Sequence, residues 1–161
     1  MMIQHPIPPV WNSQSEILIL GSFPSVKSRE VGFFYGHPQN RFWRVLSAVF
    51  EQPLPETIEA KKAFLLRNHI ALWDVIASCT ISGSSDSSIR DVVPTDLQSI
   101  LTGAAIRQIY TNGKKSDDLY RRYQEKQTGM SATCLPSTSP ANARWRMEQL
   151  IVAWNCIRAP Q

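Results

Sequence analysis

A chain of 161 residues fits a single domain with a core large enough to fold alone. Its content of 19% charged and 43% hydrophobic residues argues against a disordered chain, and no apolar run is long enough to span a bilayer. The net charge of +4 suits a polyanionic partner without requiring one.

Met1 to Ser15 is Pro-rich and is expected to lie irregularly over the surface, with Trp11 packing back onto the domain. It has no basic region followed by an apolar segment, so no secretory signal is read, and a soluble cytoplasmic protein is expected. Glu16 to Ser22 is the first predicted strand, and its continuous apolar run implies burial on both faces. It breaks at Gly21-Ser22-Phe23-Pro24, which places these residues at the carboxyl edge of a sheet, where open α/β folds bind ligands. A loop dense in flat rings follows, with Phe33, Phe34, Tyr35 and His37. This loop reads as one wall of an active site.

A helix is predicted from about Asn40 to Phe50, ended by Pro53 and Pro55. Thr57 to Asn68 reads as a second helix capped by Thr57, and His69 to Ile76 as the second strand, with Asp74 near its end. Ser78 to Val93 reads as a polar, Ser-rich loop containing Gly83, Asp86 and Arg90, either functional or a solvated connection. A helix from Thr95-Asp96 through Leu101 stops at Gly103. Ile106 to Thr111 is the third strand, ending in Asn112-Gly113, and Lys114 to Gln127 a charged helix. Ala132 to Leu135 is the fourth strand, and the last helix is predicted over Pro140 to Ile157.

The alternation of strands and helices predicts an α/β fold with a mainly parallel sheet covered on both faces. No repeat or linker divides the chain. Cys79, Cys134 and Cys156 are odd in number and widely spaced, which argues against a disulfide framework or a zinc or iron–sulfur site. Cys134 and Cys156 are expected to be small core residues.

Four segments carry a resemblance: the strand ending in GSFPS, then HPQNRFW, then IYTNGKK, then LPSTSPANAR. In this order they resemble the uracil-DNA glycosylase superfamily and, more closely, its hypoxanthine-DNA (deoxyinosine) glycosylase branch, over roughly Glu16 to Trp154. HPQNRFW is also similar to a segment of the mismatch-specific uracil/thymine branch. The resemblance implies a three-layer α/β/α fold with a central four-stranded sheet. It also implies a monofunctional enzyme with no cofactor and no metal. Such an enzyme flips a deaminated base out of double-stranded DNA, cleaves its N-glycosidic bond and leaves an abasic site in base excision repair. A monomer is expected, and single-stranded DNA is a second form of substrate.

The residues support physical readings beside that resemblance. Phe23, Phe34 and Tyr35 can wall a base pocket or fill the core. Gly21, Ser22, Pro24 and Asn112 would complete that pocket at the strand ends. Asn40 either caps a helix or holds the attacking water with a neutral amide, and the two roles are compatible. The resemblance favours the catalytic role. Position 23, where many superfamily members carry a water-activating Asp or Asn, holds Phe23, and the late motif begins with Leu135 in place of a base-binding His. His37 would bond the leaving purine, a phosphate or only its own loop, and Asp74 either polarises water or caps a loop. Ser137, Thr138 and Ser139 suit phosphates at a helix N-terminus or cap that helix. Arg41, Lys114 and Arg144 are candidate DNA contacts or plain surface charges, as are Lys115 and Arg146, and the SSDSS run Ser84 to Ser88 would touch DNA or the base. The alternatives are a mismatch uracil/thymine glycosylase and a non-catalytic nucleic-acid binder of the same fold.

Overall fold

In a computed structural model that describes residues 2–158, two sheets are present. The larger holds β2 (Ile17–Gly21), β3 (Ile70–Asp74), β6 (Gln108–Asn112) and β7 (Ala132–Leu135) in the order β3-β2-β6-β7, all parallel. Every residue of β2 is buried. Its continuous apolar run follows from that position, since a central parallel strand meets helices on both sides.

The alternation of β2 separates two cores. Ile17 and Ile19 face α2 (Phe42–Phe50), α3 (Ile58–Arg67) and α7 (Met147–Trp154), where Phe42, Leu46, Phe64, Leu65, Leu150 and Trp154 are buried. Leu18 and Leu20 face α4 (Gln98–Gly103) and α5 (Lys114–Tyr123), through Ile100, Leu119 and Tyr120. The architecture is therefore the expected three-layer α/β/α. Two short helices complete it: α1 (Val26–Val31), capped by the Ser25 side chain, and α6 (Glu125–Thr128). Trp11 packs on the second core, close against Gly103.

Several expectations are corrected. Met1 lies outside the described residues, but Met2–Gln4 forms β1 and is not irregular. The Ser78 to Val93 stretch is not a simple loop. β4 (Ile76–Thr80) and β5 (Arg90–Pro94) pair antiparallel, and β1 joins β4, giving a second sheet β1-β4-β5. Their Ser and Asp residues hid the pairing, because long-range pairing overrides weak local strand preference. Only the tip, with a 3-10 turn at Asp86–Ser88, remains loop-like. The last helix begins at Met147, not Pro140, since residues 139–145 are held as turns by tertiary contacts described below. Cys134 and Cys156 are exposed, so neither is a core residue. Cys134 lies on edge strand β7, and Cys156 lies in the 3-10 turn after α7.

Candidate active site

The carboxyl ends of the parallel strands converge. Gly21 ends β2, Asp74 ends β3, Asn112 ends β6, and the segment after β7 continues into Ser137 and Thr138. β2 lies between β3, on one side, and β6, on the other, so the chain's crossovers diverge there and leave a crevice. A cavity of about 350 Å³ fills it, within the range of small-molecule sites. It is lined by Gly21, Ser22, Phe23, Pro24, Tyr35, His37, Asn40, Asp74 and Asn112, all expected at the pocket. Ser137, Thr138, Ser139 and the hairpin tip with Ser84 and Asp86 close its rim.

Asn40 is held from two sides. Its amide oxygen accepts the Phe42 N–H at 2.9 Å, in a turn just before α2 whose cap position is Arg41 and not Asn40, and the Thr138 hydroxyl at 2.9 Å. Asn112 fixes Thr138 in turn: its side-chain oxygen accepts the Thr138 N–H at 3.1 Å, and its amide donates to the Thr138 hydroxyl at 3.0 Å. Both lone pairs of the Asn40 oxygen are thus engaged, and its NH₂ makes no hydrogen bond among the described residues. A pair of donors, rather than an acceptor, is what Asn40 can offer a ligand. Thr138 is fully buried, so its hydroxyl serves this chain and does not face outward as a phosphate contact.

Asp74 is buried, and its Oδ2 accepts from His5 Nε2 at 2.7 Å. Its backbone carbonyl accepts the Thr95 hydroxyl at 2.8 Å. Tyr35 stacks on Phe42 with ring centroids 4.0 Å apart, and its backbone takes a left-handed φ of 54°. The Tyr35 hydroxyl is buried with no partner among the described residues. Burial pushes its phenol far up, and the charge of Asp74 adds to that, against the Asn112 side chain. The hydroxyl therefore keeps its proton. Gly21 leaves room for both groups: a Cβ there would stand 2.5 Å from Asp74 Oδ1 and 2.8 Å from the Tyr35 hydroxyl. Phe23 meets the His5 ring edge-on at 5.7 Å and carries the Arg29 guanidinium over its face at 5.6 Å.

The rim is built from local turns. Ser137 Oγ accepts the Ser139 N–H and Ser139 Oγ accepts the Ala141 N–H, each at 3.1 Å. Arg41 donates to the carbonyls of Ser139 (2.9 Å), Asn142 (3.1 Å) and Trp145. Its guanidinium is thereby engaged in holding the rim, a job the sequence did not suggest. His37 Nδ1 accepts the Gln39 N–H at 3.1 Å. Lys114 is exposed and pairs with Asp118 at 3.1 Å, one turn along α5, and Arg144 is exposed beside the rim. Ser22 donates to Asp86 at 3.4 Å. Burial pushes the Asp86 carboxyl up, while the Ser22 hydroxyl and the charge of Lys115 pull it down. His5 had no signal in the sequence, since 69 residues separate it from Asp74.

The chain is similar to known proteins over most of its length. The model of the Uracil DNA glycosylase superfamily matches residues 8–158. A Methanosarcina acetivorans protein named hypoxanthine DNA glycosylase is 36% identical over 148 residues, covering 89% of this chain and 91% of the relative. A protein of the same name from Methanosarcina barkeri is 36% identical over 142 residues, covering 85% and 87%. The solution NMR structure of a Methanosarcina acetivorans protein, described as a candidate uracil DNA glycosylase, superposes with a TM-score of 0.82 at 32% identity, covering 98% of each chain.

Proposed function

This chain belongs to the uracil DNA glycosylase superfamily, and on that footing we propose that it excises hypoxanthine from deoxyinosine in DNA, in base excision repair. The observation that carries this reading is the doubly held carboxamide of Asn40 at the edge of a base-sized cavity.

The flipped purine enters between Phe23 and the Tyr35 side of the cavity. Asp74 Oδ1 accepts the lactam N–H of hypoxanthine, and the Tyr35 hydroxyl donates to the adjacent carbonyl oxygen at C6. As the bond between C1′ and the purine nitrogen breaks, its electron pair moves onto the base. The Tyr35 donor stabilises the charge that spreads to the carbonyl oxygen at C6. The sugar carbon becomes oxocarbenium-like, a centre that reacts with water without a strong base. Asn40 NH₂ holds that water by its oxygen, a matter of position rather than proton removal. Water adds to C1′, releases a proton to solvent and leaves an abasic site. No cofactor or metal enters this scheme.

Ser137 and Ser139 of the rim and the exposed Lys114 and Arg144 contact the DNA backbone, with Arg41 keeping the rim in shape. The protein acts as a monomer in the cytoplasm on double-stranded DNA, and on single strands as a second form. Purified protein is incubated with duplexes and single strands holding one inosine, uracil or xanthine. Alkali-revealed breaks at inosine are expected. Breaks at uracil alone would overturn the hypoxanthine assignment, and tight binding without breaks would overturn the enzymatic one.

A further inference from the structure

We propose that His5 is a positioning residue of this pocket, one that locks Asp74 in place and keeps the Tyr35 hydroxyl free for the base. This rests on the reading of the cavity as a base pocket.

His5 directly follows β1, and its backbone N–H donates to the Ala77 carbonyl at 2.7 Å, so pairing of β1 with β4 sets its position. The Ile7 N–H donates to His5 Nδ1 at 3.1 Å. An imidazole whose Nδ1 accepts carries its proton on Nε2. That proton points to Asp74 Oδ2 at 2.7 Å, with both side chains nearly buried at 4% and 5% exposure. Phe23, Phe34 and Trp73 surround the ring at 5.7, 6.1 and 6.4 Å. Asp74 cannot turn its carboxylate without losing this bond.

The lock has a consequence on the other oxygen. Asp74 Oδ1 and the Tyr35 hydroxyl crowd the same side of Gly21, yet they do not bond one another. A free carboxylate would turn to accept that buried hydroxyl, because an unpaired buried donor is costly. His5 prevents the turn. An acceptor and a donor therefore stand side by side, both unspent. A lactam edge, with N–H beside C=O, matches that pair. The bare ring nitrogen of adenine would set a lone pair against the carboxylate.

The test compares single-turnover excision of deoxyinosine with that of deoxynebularine, whose purine has a bare N1 and no oxygen at C6. In His5→Ala the ratio of the two rates is expected to fall about tenfold. His5→Gln, whose amide can donate to Asp74, should keep most of the wild-type ratio. In Asp74→Asn, His5 holds the amide oxygen and turns NH₂ to the cavity, so the ratio should fall further. A structural role alone would slow both bases equally, and an unchanged ratio in His5→Ala would overturn the proposal. If that variant loses its cooperative melt, Asp74→Asn decides, and a wild-type ratio there overturns it. Wild-type protein inert on both bases would overturn the functional reading and this one with it, whereas an inosine-active wild type with an unmoved ratio sinks this one alone.

Discussion

The hydroxyl of Thr138 donates to the amide oxygen of Asn40 at 2.9 Å, across 98 residues of sequence. With the Phe42 N–H on the same oxygen, the orientation of that amide is fixed before any ligand arrives. Preorganisation of this kind predicts a division between groups that act and groups that aim.

Thr138→Val keeps the shape of the side chain and removes the donor. The Asn40 amide then gains freedom to flip, and Asn112 loses the partner for its own NH₂. Excision should fall by roughly tenfold or more, with a stability loss of about 1–2 kcal/mol. Single-turnover rates and denaturant melts check both. Affinity for the inosine duplex should stay near wild type.

Asn40 both holds the first N–H of α2 and faces the cavity, and two substitutions separate these roles. Asn40→Ala should remove excision and cost about 1 kcal/mol through the lost bonds to the Phe42 N–H and the Thr138 hydroxyl. Asn40→Asp keeps an oxygen for the Phe42 N–H and the Thr138 hydroxyl, so both bonds survive, but it replaces the NH₂ donors with a carboxylate oxygen. Its melt should resemble wild type while excision is lost by about a hundredfold. Full turnover in Asn40→Asp would show that the NH₂ does not act.

These pairs also mark how far the sequence could be read. That Gly21, Asp74 and Asn112 stand at the cavity is legible in the sequence, because each ends an apolar strand and leads into a turn, a local pattern. β4 and β5 were not, since Ile76–Thr80 and Arg90–Pro94 hold too few apolar residues to signal strands, and their partner β1 is only Met2–Gln4. The last helix starts later than its sequence predicts for a similar reason. Pro140 is a good first helical residue, but the three carbonyls bound by Arg41 hold residues 139–145 in turns. No local rule reports a guanidinium from a distant helix start.

Arg41→Ala should loosen the rim without touching the cavity floor. Faster amide exchange over residues 137–146 is expected, together with weaker binding to duplex DNA. Arg41→Lys should not restore either, because an ammonium cannot reach three carbonyls as a planar fork does. Unchanged exchange in Arg41→Ala would remove the rim-holding role.

Gly21→Ala places a methyl 2.5 Å from Asp74 Oδ1 and 2.8 Å from the Tyr35 hydroxyl. Neither group is the loose end of a flexible side chain, since His5 and the Phe42 stack hold them. A loss of about 1–3 kcal/mol is expected, with excision abolished. A melt matching wild type would contradict the rigidity assigned to the two groups.

The raised phenol of Tyr35 gives a pH dependence with a definite sign. The folded state keeps that proton after the unfolded chain, whose tyrosines titrate near about 10, has released it. Above that pH the folded state binds more protons than the unfolded one, so stability falls as pH rises. Tyr35→Phe has no such proton and should lose stability less steeply in alkaline melts. Identical slopes would contradict the burial of the hydroxyl.

The second sheet ties the front of the chain to the middle, since β1 pairs with β4 and delivers His5 to the end of β3. The rim arrives later still, from beyond β7. On the proposed activity, no fragment that stops short of about Ser139 contains all the groups required to cleave the glycosidic bond. Nascent chains shorter than that are thereby barred from excising bases.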